Sequence, residues 1–169
     1  MIEPIENAFC DNLPFIVFHF KIRDIHMNSR IENGNFVVDG KPFFIRGAEM
    51  HYFRLPKNSW GEHLKRARDA GVNTIAACMP WFWHEPEEGR VDLNGESLPE
   101  RDLAGFIERV ADLGLKLIAH PGPFLNCEFR NGGIPEWVFR NHPETMSRRA
   151  DGTVVTGRPV PAEGEDVYR

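Results

Sequence analysis

Cysteine is scarce in this chain, basic runs are missing, and no apolar stretch is long. The three cysteines, Cys10, Cys78 and Cys127, are too few and too scattered for a disulfide framework or a zinc site. An odd count also fits a reducing compartment. Twenty Lys and Arg are outnumbered by 25 Asp and Glu, the net charge is −5, and no Lys/Arg run occurs. No nucleic-acid partner is therefore expected, since such binders carry a basic face. The longest apolar run, Leu13 to Phe20, falls well short of the roughly 20 residues of a membrane helix. It also lacks the basic start and small-residue cleavage site of a signal peptide, so no membrane association is expected and a cytoplasmic address is the default. Repeats and low-complexity tracts are absent as well.

What remains is ordinary globular composition, 41% hydrophobic and 27% charged over 169 residues. Residues 1–30 show no periodicity and are expected to be an amino-terminal extension, disordered or mis-started, with Met27 as an alternative first residue. Organisation begins at Ile31. Phe36-Val37-Val38 and Phe43-Phe44-Ile45 read as a hairpin joined by Asp39-Gly40-Lys41-Pro42. Ser59 and Glu62 have capping-box spacing ahead of Trp60, Leu64 and Ala67 at helical intervals, and Gly71 is the expected stop. Asn73 to Met79 is a mostly apolar strand ended by Pro80. Ser97 and Glu100 repeat the capping-box spacing before an apolar stripe of Leu103, Phe106, Ile107, Val110 and Leu113, with Asp102, Glu108, Arg109 and Asp112 outside it. Leu115 to Ala119 is a third strand, and a short helix begins near Pro135. Residues 141–169 are polar and turn-rich, which predicts an extended loop.

Strands alternating with amphipathic helices predict an α/β fold with a parallel sheet. In such folds functional groups collect beyond the carboxyl ends of the strands. Those positions hold Glu49, His51, Tyr52 and Arg54; then Trp81, Trp83, His84, Glu85, Glu87 and Glu88; then His120, Asn126, Glu128, Arg130 and Asn131. The opposite ends carry only connectors such as Asp69-Ala70-Gly71-Val72. Carboxylates mixed with aromatics, Asn and His suit sugar binding, because rings stack on a pyranose face while Glu and Asn bond its hydroxyls. Each residue also has a plainer reading. Glu85 either meets ligand or caps its turn, Glu87 and Glu88 are a solvated charge pair, Trp81 and Trp83 support a rim, and Cys78 and Cys127 are small buried fillers.

In order along the chain stand Asp39-Gly40-Lys41-Pro42-Phe43, Met50-His51-Tyr52-Phe53-Arg54-Leu55-Pro56, Trp60, Ala70-Gly71-Val72-Asn73-Thr74, Pro80-Trp81, His84-Glu85-Pro86, Pro121-Gly122-Pro123-Phe124, Glu128, Gly132-Gly133-Ile134-Pro135 and Trp137. This series resembles the amino-terminal part of the family 35 glycoside hydrolases, the β-galactosidases, from about Asn35 to Trp137. The resemblance implies a (β/α)8 TIM barrel that removes terminal β-linked galactose with retention of configuration, without a cofactor. The expected fold is thus a partial (β/α)8 barrel: the hairpin plus roughly the first three β/α units, over residues 31–169. In the family the acid/base glutamate follows the fourth strand, in a Glu-Asn-Glu-Tyr-Gly motif, and the nucleophile follows the seventh. Neither occurs here, so no catalytic residue is assigned, and the chain is expected to be a fragment that is inactive alone and poorly soluble.

By the same resemblance Glu128 matches the family's sugar-binding glutamate, with Cys127 beside it where alanine is usual. Cys78 stands where a sugar-touching tyrosine is common, and Glu85 joins them as a substrate-binding candidate. His120 replaces an arginine and Phe129 a tryptophan. These departures leave the fold expectation intact and open the specificity to another β-glycoside. The expected partner is a β-galactoside or related glycan, with the oligomeric state left open. Two rival readings are a metal-dependent barrel hydrolase or isomerase using His51, His84, Glu85, His120 and Glu128, and a non-catalytic carbohydrate-binding piece completed by a second chain.

Overall fold

The computed structural model describes residues 29–125, 128–146, 148–149 and 151–153. Two small sheets organise them. Strands β1 (Ser29–Glu32), β2 (Asn35–Val38) and β3 (Lys41–Pro42) form an antiparallel meander, and β4 (Gly47–Glu49), β5 (Thr74–Met79) and β6 (Lys116–Pro121) form a parallel sheet in that order. Helices α1 (Trp60–Asp69), α2 (Trp81–His84), α3 (Leu103–Asp112) and α4 (Glu136–Asn141) complete the element order.

The antiparallel sheet is built by two Asx-Gly turns. Asn33 (φ 49°) with Gly34 (φ 76°), and Asp39 (φ 50°) with Gly40 (φ 79°), place two successive residues in the left-handed region, as a tight two-residue hairpin requires. The strand β1 was not expected, and Asn33-Gly34 is the signal that could have found it. All four residues of β1 are exposed, so no hydrophobic alternation marks it. The residues before Ser29 lie outside the described residues. The expected second arm, Phe43 to Ile45, is shifted: the pairing is Val37 with Pro42 and Val38 with Lys41, Phe43 still donates its N–H to the Phe36 carbonyl at 2.7 Å, and Phe44 is 80% exposed. Residues 44–46 instead lead into β4 under the control of Asn73. Its Oδ1 accepts from the Arg46 N–H at 2.9 Å, and its Nδ2 donates to the Phe44 carbonyl at 2.8 Å. The first parallel strand accordingly begins at Gly47.

In the parallel sheet Ala48, Ile75 and Leu117 share one row, and Glu49, Ala76 and Ile118 the next. Side chains alternate between faces along a strand. The first row packs under the helices with Trp60, Leu64, Leu103, Phe106 and Val110. Its centre is aromatic: the ring of Tyr52 lies 4.8 Å from that of Phe106, and Trp60 stands edge-on to both at 5.9 and 5.5 Å. The Trp60 indole N–H donates to the carbonyls of Tyr52 (2.9 Å) and Leu55 (3.1 Å), so burying it leaves no orphaned donor. The second row is open, with Glu49 and Ile118 exposed. Among the described residues β4 and β6 are edges, and the three parallel strands form a partial α/β piece with no closed barrel.

Neither expected capping box forms. The Ser59 hydroxyl turns back to the Pro56 carbonyl, 2.8 Å away, and caps nothing. Residues Pro99–Arg101 form a separate 3-10 turn, and α3 is capped by Asp102, whose Oδ1 accepts from the Gly105 N–H at 2.9 Å. Asp102 is therefore drawn in rather than left outside, and its other oxygen meets Lys57 Nζ at 2.6 Å. The predicted stripe does hold, with Leu103, Phe106 and Val110 buried.

Candidate active site

The loop after β5 is held by polar groups that look inward. Gly89 N–H and Trp81 Nε1–H donate to the two oxygens of Glu85, at 2.8 and 2.6 Å, while Trp137 Nε1–H donates to its backbone carbonyl at 2.9 Å. Glu85 is only 7% exposed, so this candidate is placed as the brace of its turn, away from open space. His84 is buried beside it. Its Nδ1–H donates to the Asp92 carbonyl at 2.8 Å, which leaves Nε2 to accept from the Tyr52 hydroxyl at 2.5 Å. Burial pushes the His84 pKa below its ordinary value and the Tyr52 phenol far above its own. Both groups are thereby fixed neutral.

Asp92 ties the rest of the loop. Its Oδ1 accepts from the N–H groups of Asn94, Gly95 and Glu96, and its Oδ2 accepts from the N–H and hydroxyl of Ser97. Burial opposes its ionisation, but the Ser97 hydroxyl and the backbone donors together outweigh it and hold the carboxyl well below the usual range. Further out, Glu87 pairs with Arg90 at 2.7 Å. Glu88 accepts from Asn141 Nδ2 at 2.6 Å and meets His142 Nε2 at 2.9 Å, fastening α4 to this loop. Trp81 stands edge-on to Trp137 at 5.3 Å.

The open face differs. At the carboxyl ends of β4 and β5 the structure gathers Glu49, His51 and Cys78: Cys78 Sγ and His51 Nε2 each lie 3.7 Å from Glu49 Oε1. His120 is in register with Cys78 on β6 and is exposed, and Glu128 is exposed on the following loop. Cys127 and Asn126 lie outside the described residues. A cleft of about 330 Å³ along the β4 edge is lined by Glu49, His51 and Arg54 together with Ala48 and Ile75 of the helix-facing row and His63 and Ala67 of α1. Above it His51, Phe53 and Phe129 pack ring to ring, at 5.3 Å for each of the pairs made by Phe53, and the Arg54 guanidinium lies 5.5 Å from the Phe129 ring. After Phe129 the chain turns tightly through Asn131 and Gly132 (φ 57° and 61°). A Cβ on Gly132 would lie 2.2 Å from the Phe124 ring, so glycine alone lets the two segments close. Arg130 and Asn131 point to Glu136 on α4, at 3.3 and 3.0 Å.

The ligand set of the rival metal reading is thus divided. His51 and His120 lie at the ends of β4 and β6 and Glu128 is exposed on the loop after β6, whereas both nitrogens of His84 and both oxygens of Glu85 are already bonded. Glu49 beside Cys78 is the neighbour that sequence reasoning did not single out. The two are 29 positions apart and meet only through strand register.

The sequence profile described as "Glycosyl hydrolases family 35" matches residues 35–156. The chain belongs to this glycoside hydrolase family. It is 43% identical over 133 residues to an exo-beta-D-glucosaminidase of Thermococcus kodakarensis, covering 79% of this chain and 16% of that protein. It is 33% identical over 121 residues to the beta-galactosidase-1-like protein 2 of Homo sapiens, covering 72% of this chain and 18% of that one. A solved β-galactosidase from Halorubrum lacusprofundi superposes with a TM-score of 0.55 at 21% identity, over 72% of this chain and 16% of that one. The last likeness concerns the fold alone, and it agrees with a piece of a TIM-barrel family. The chain spans about a sixth of the length of the curated relatives it matches. No described helix is long and apolar enough to cross a membrane.

Proposed function

We propose that this chain is the sugar-binding front of a retaining β-glycosidase, which removes a terminal β-linked galactosyl residue once the rest of a barrel is supplied. In that chemistry two carboxylates about 5–5.5 Å apart act as acid/base and nucleophile. By the family resemblance both follow later strands than the three here, so the 169-residue chain alone is inactive. The observation that supports the reading is the approach of Cys78, near the carboxyl end of β5, to the exposed Glu49 of β4, with Glu128 exposed on the loop after β6, while the neighbouring acids Glu85 and Asp92 are bonded into their own loop. Glu128, with Cys127, would hold sugar hydroxyls.

A second reading, a terminal β-linked amino sugar, has its own observation. Glu49 offers a carboxylate 3.7 Å from Cys78, at the position where the family commonly has a sugar-touching tyrosine, and such a group attracts an ammonium. The glucosaminidase relatives agree with it. One assay tests both. The purified chain is compared with a longer product containing the Glu-Asn-Glu-Tyr-Gly segment, on nitrophenyl β-galactoside and nitrophenyl β-glucosaminide. The expected result is no hydrolysis above buffer by the chain and turnover of one substrate by the longer product. Turnover by the chain alone overturns its inactivity, and silence of the longer product on both substrates overturns the glycosidase reading.

A further inference from the structure

The ring of His51 is poorly served by the protein around it. Its Nδ1 is buried with no hydrogen-bond partner among the described residues, and its Nε2 is 3.7 Å from Glu49, beyond hydrogen-bond reach. Nε2 is thereby available as a ligand atom on the side facing Glu49. Its orientation is nevertheless fixed, by Phe53 at 5.3 Å and Phe129 at 6.5 Å between ring centres. Cys78 is fully buried, carries a thiol rather than a disulfide, and approaches the same Glu49 oxygen at 3.7 Å. One ligand atom from each of the three residues lies within 4.8 Å of the other two.

From this geometry we infer that Glu49, His51 and Cys78 form a binding site for a thiophilic divalent cation, zinc before magnesium or calcium. Thiolate and imidazole select borderline and soft ions, and hard ions prefer oxygen alone. A tetrahedral zinc, with Zn–S of about 2.3 Å and Zn–N and Zn–O of about 2.0–2.2 Å, sets its ligand atoms about 3.3–3.6 Å apart. The 3.7 Å separations to Glu49 and a Cys78–His51 separation within 4.8 Å are closed to that spacing by rotation of the side chains. Three protein ligands leave a fourth position for a water or another donor. On binding, the Cys78 S–H proton passes to solvent as the metal–sulfur bond forms, so occupancy rises with pH. The ion would sit at the rim of the open face, and the site stands whether or not the chain serves a glycosidase.

The test is direct metal binding to the full 169-residue chain under reducing conditions. Zinc is measured by elemental analysis after equilibrium dialysis, and cobalt(II) by its sulfur-to-metal charge-transfer absorption. The expected result is about one ion per chain, with a cobalt thiolate band that Cys78→Ser abolishes and Cys10→Ser and Cys127→Ser preserve. Because Cys78 is buried, Glu49→Gln provides the control that keeps the fold: Glu49 is exposed, and its circular dichroism should match the parent while zinc affinity falls at least about tenfold. Failure to bind zinc or cobalt overturns the site. So does a thiolate band that survives Cys78→Ser, or affinity unchanged in both Glu49→Gln and His51→Gln.

Discussion

Two groups of polar residues at the strand ends are treated in opposite ways. In the loop after β5, Glu85, His84 and Asp92 have their side-chain polar atoms bonded within the chain. On the open face Glu49 and Glu128 are exposed, and the nearest approaches to Glu49 are 3.7 Å contacts with Cys78 and His51. A carboxylate that already accepts several N–H bonds is stabilised as a structural anchor, and recruiting it to a ligand would leave those donors unsatisfied. A carboxylate in contact with solvent can exchange water for a ligand at little cost. The contrast separates acids that build the site from acids able to use it, which residue type alone does not.

The contrast breaks if the two groups respond alike to truncation. Asp92→Ala removes the acceptor of four backbone N–H groups and one hydroxyl, and is expected to lower stability by about 3 kcal/mol. Glu128→Ala should stay within about 0.5 kcal/mol of the parent, as exposed substitutions usually do. Urea denaturation of both variants decides it. The pH dependence carries a sign as well. Because the folded Asp92 carboxyl is held below its ordinary 3.8, its contribution is fully present above that value and is lost as pH falls through the lower folded value. The difference between parent and Asp92→Asn should therefore be constant from neutrality to about pH 4 and shrink only in stronger acid.

Much of this scaffold can be read from the sequence, and the failures have physical causes. The apolar stripe of α3 is legible because Leu103, Phe106 and Val110 return at helical intervals and must be buried. The strands β5 and β6 are legible as short apolar runs ended by proline. Capping was misread because Ser59 and Ser97 had other bonds available: one hydroxyl folds back to Pro56 and the other serves Asp92. The strand β1 escaped because its residues are all exposed, and only Asn33-Gly34 betrayed it. Within the candidate site, the positions beyond the strand ends follow from fold class. The division into anchored and open carboxylates does not, because it depends on which backbone N–H groups converge on Glu85 and Asp92. The Glu49–Cys78 approach likewise exists only through the pairing of β4 with β5.

The same distinction can be sharpened on α3, where Asp102 is an anchored acid whose partner is glycine. A Cβ on Gly105 would lie 2.2 Å from Asp102 Oδ2, so alanine there must displace the cap. In a helix interior alanine gains about 1 kcal/mol over glycine, while losing an N-cap costs about 1–2 kcal/mol. Gly105→Ala should consequently be neutral to mildly destabilising in the parent and stabilising by about 1 kcal/mol in an Asp102→Ala background. Additive effects of the two substitutions in thermal denaturation would show that alanine at 105 leaves the cap in place.

The smallest effect concerns a pair that is exposed yet bonded, and so falls between the two classes. The Glu88 carboxylate raises His142 above its ordinary 6.5 against the opposing effect of burial, with Glu144 adding to the rise. In return His142 and Asn141 hold Glu88 below its ordinary 4.5. A raised histidine stabilises the folded chain fully below 6.5 and ceases to do so as pH rises through its folded value. A depressed carboxylate stabilises above 4.5 and ceases as pH falls through its own folded value. The fastening of α4 to the loop after β5 is therefore strongest in the mildly acidic window between those two values, and it weakens with alkali before any anchored acid responds. Titration of the His142 imidazole by NMR should show its pKa falling towards the ordinary value in Glu88→Gln. Hydrogen exchange of α4 should speed up above neutrality in the parent and lose most of that pH dependence in the variant. An unshifted His142 would place Glu88 with the open acids, and the loop's anchored groups would then be His84, Glu85 and Asp92 alone.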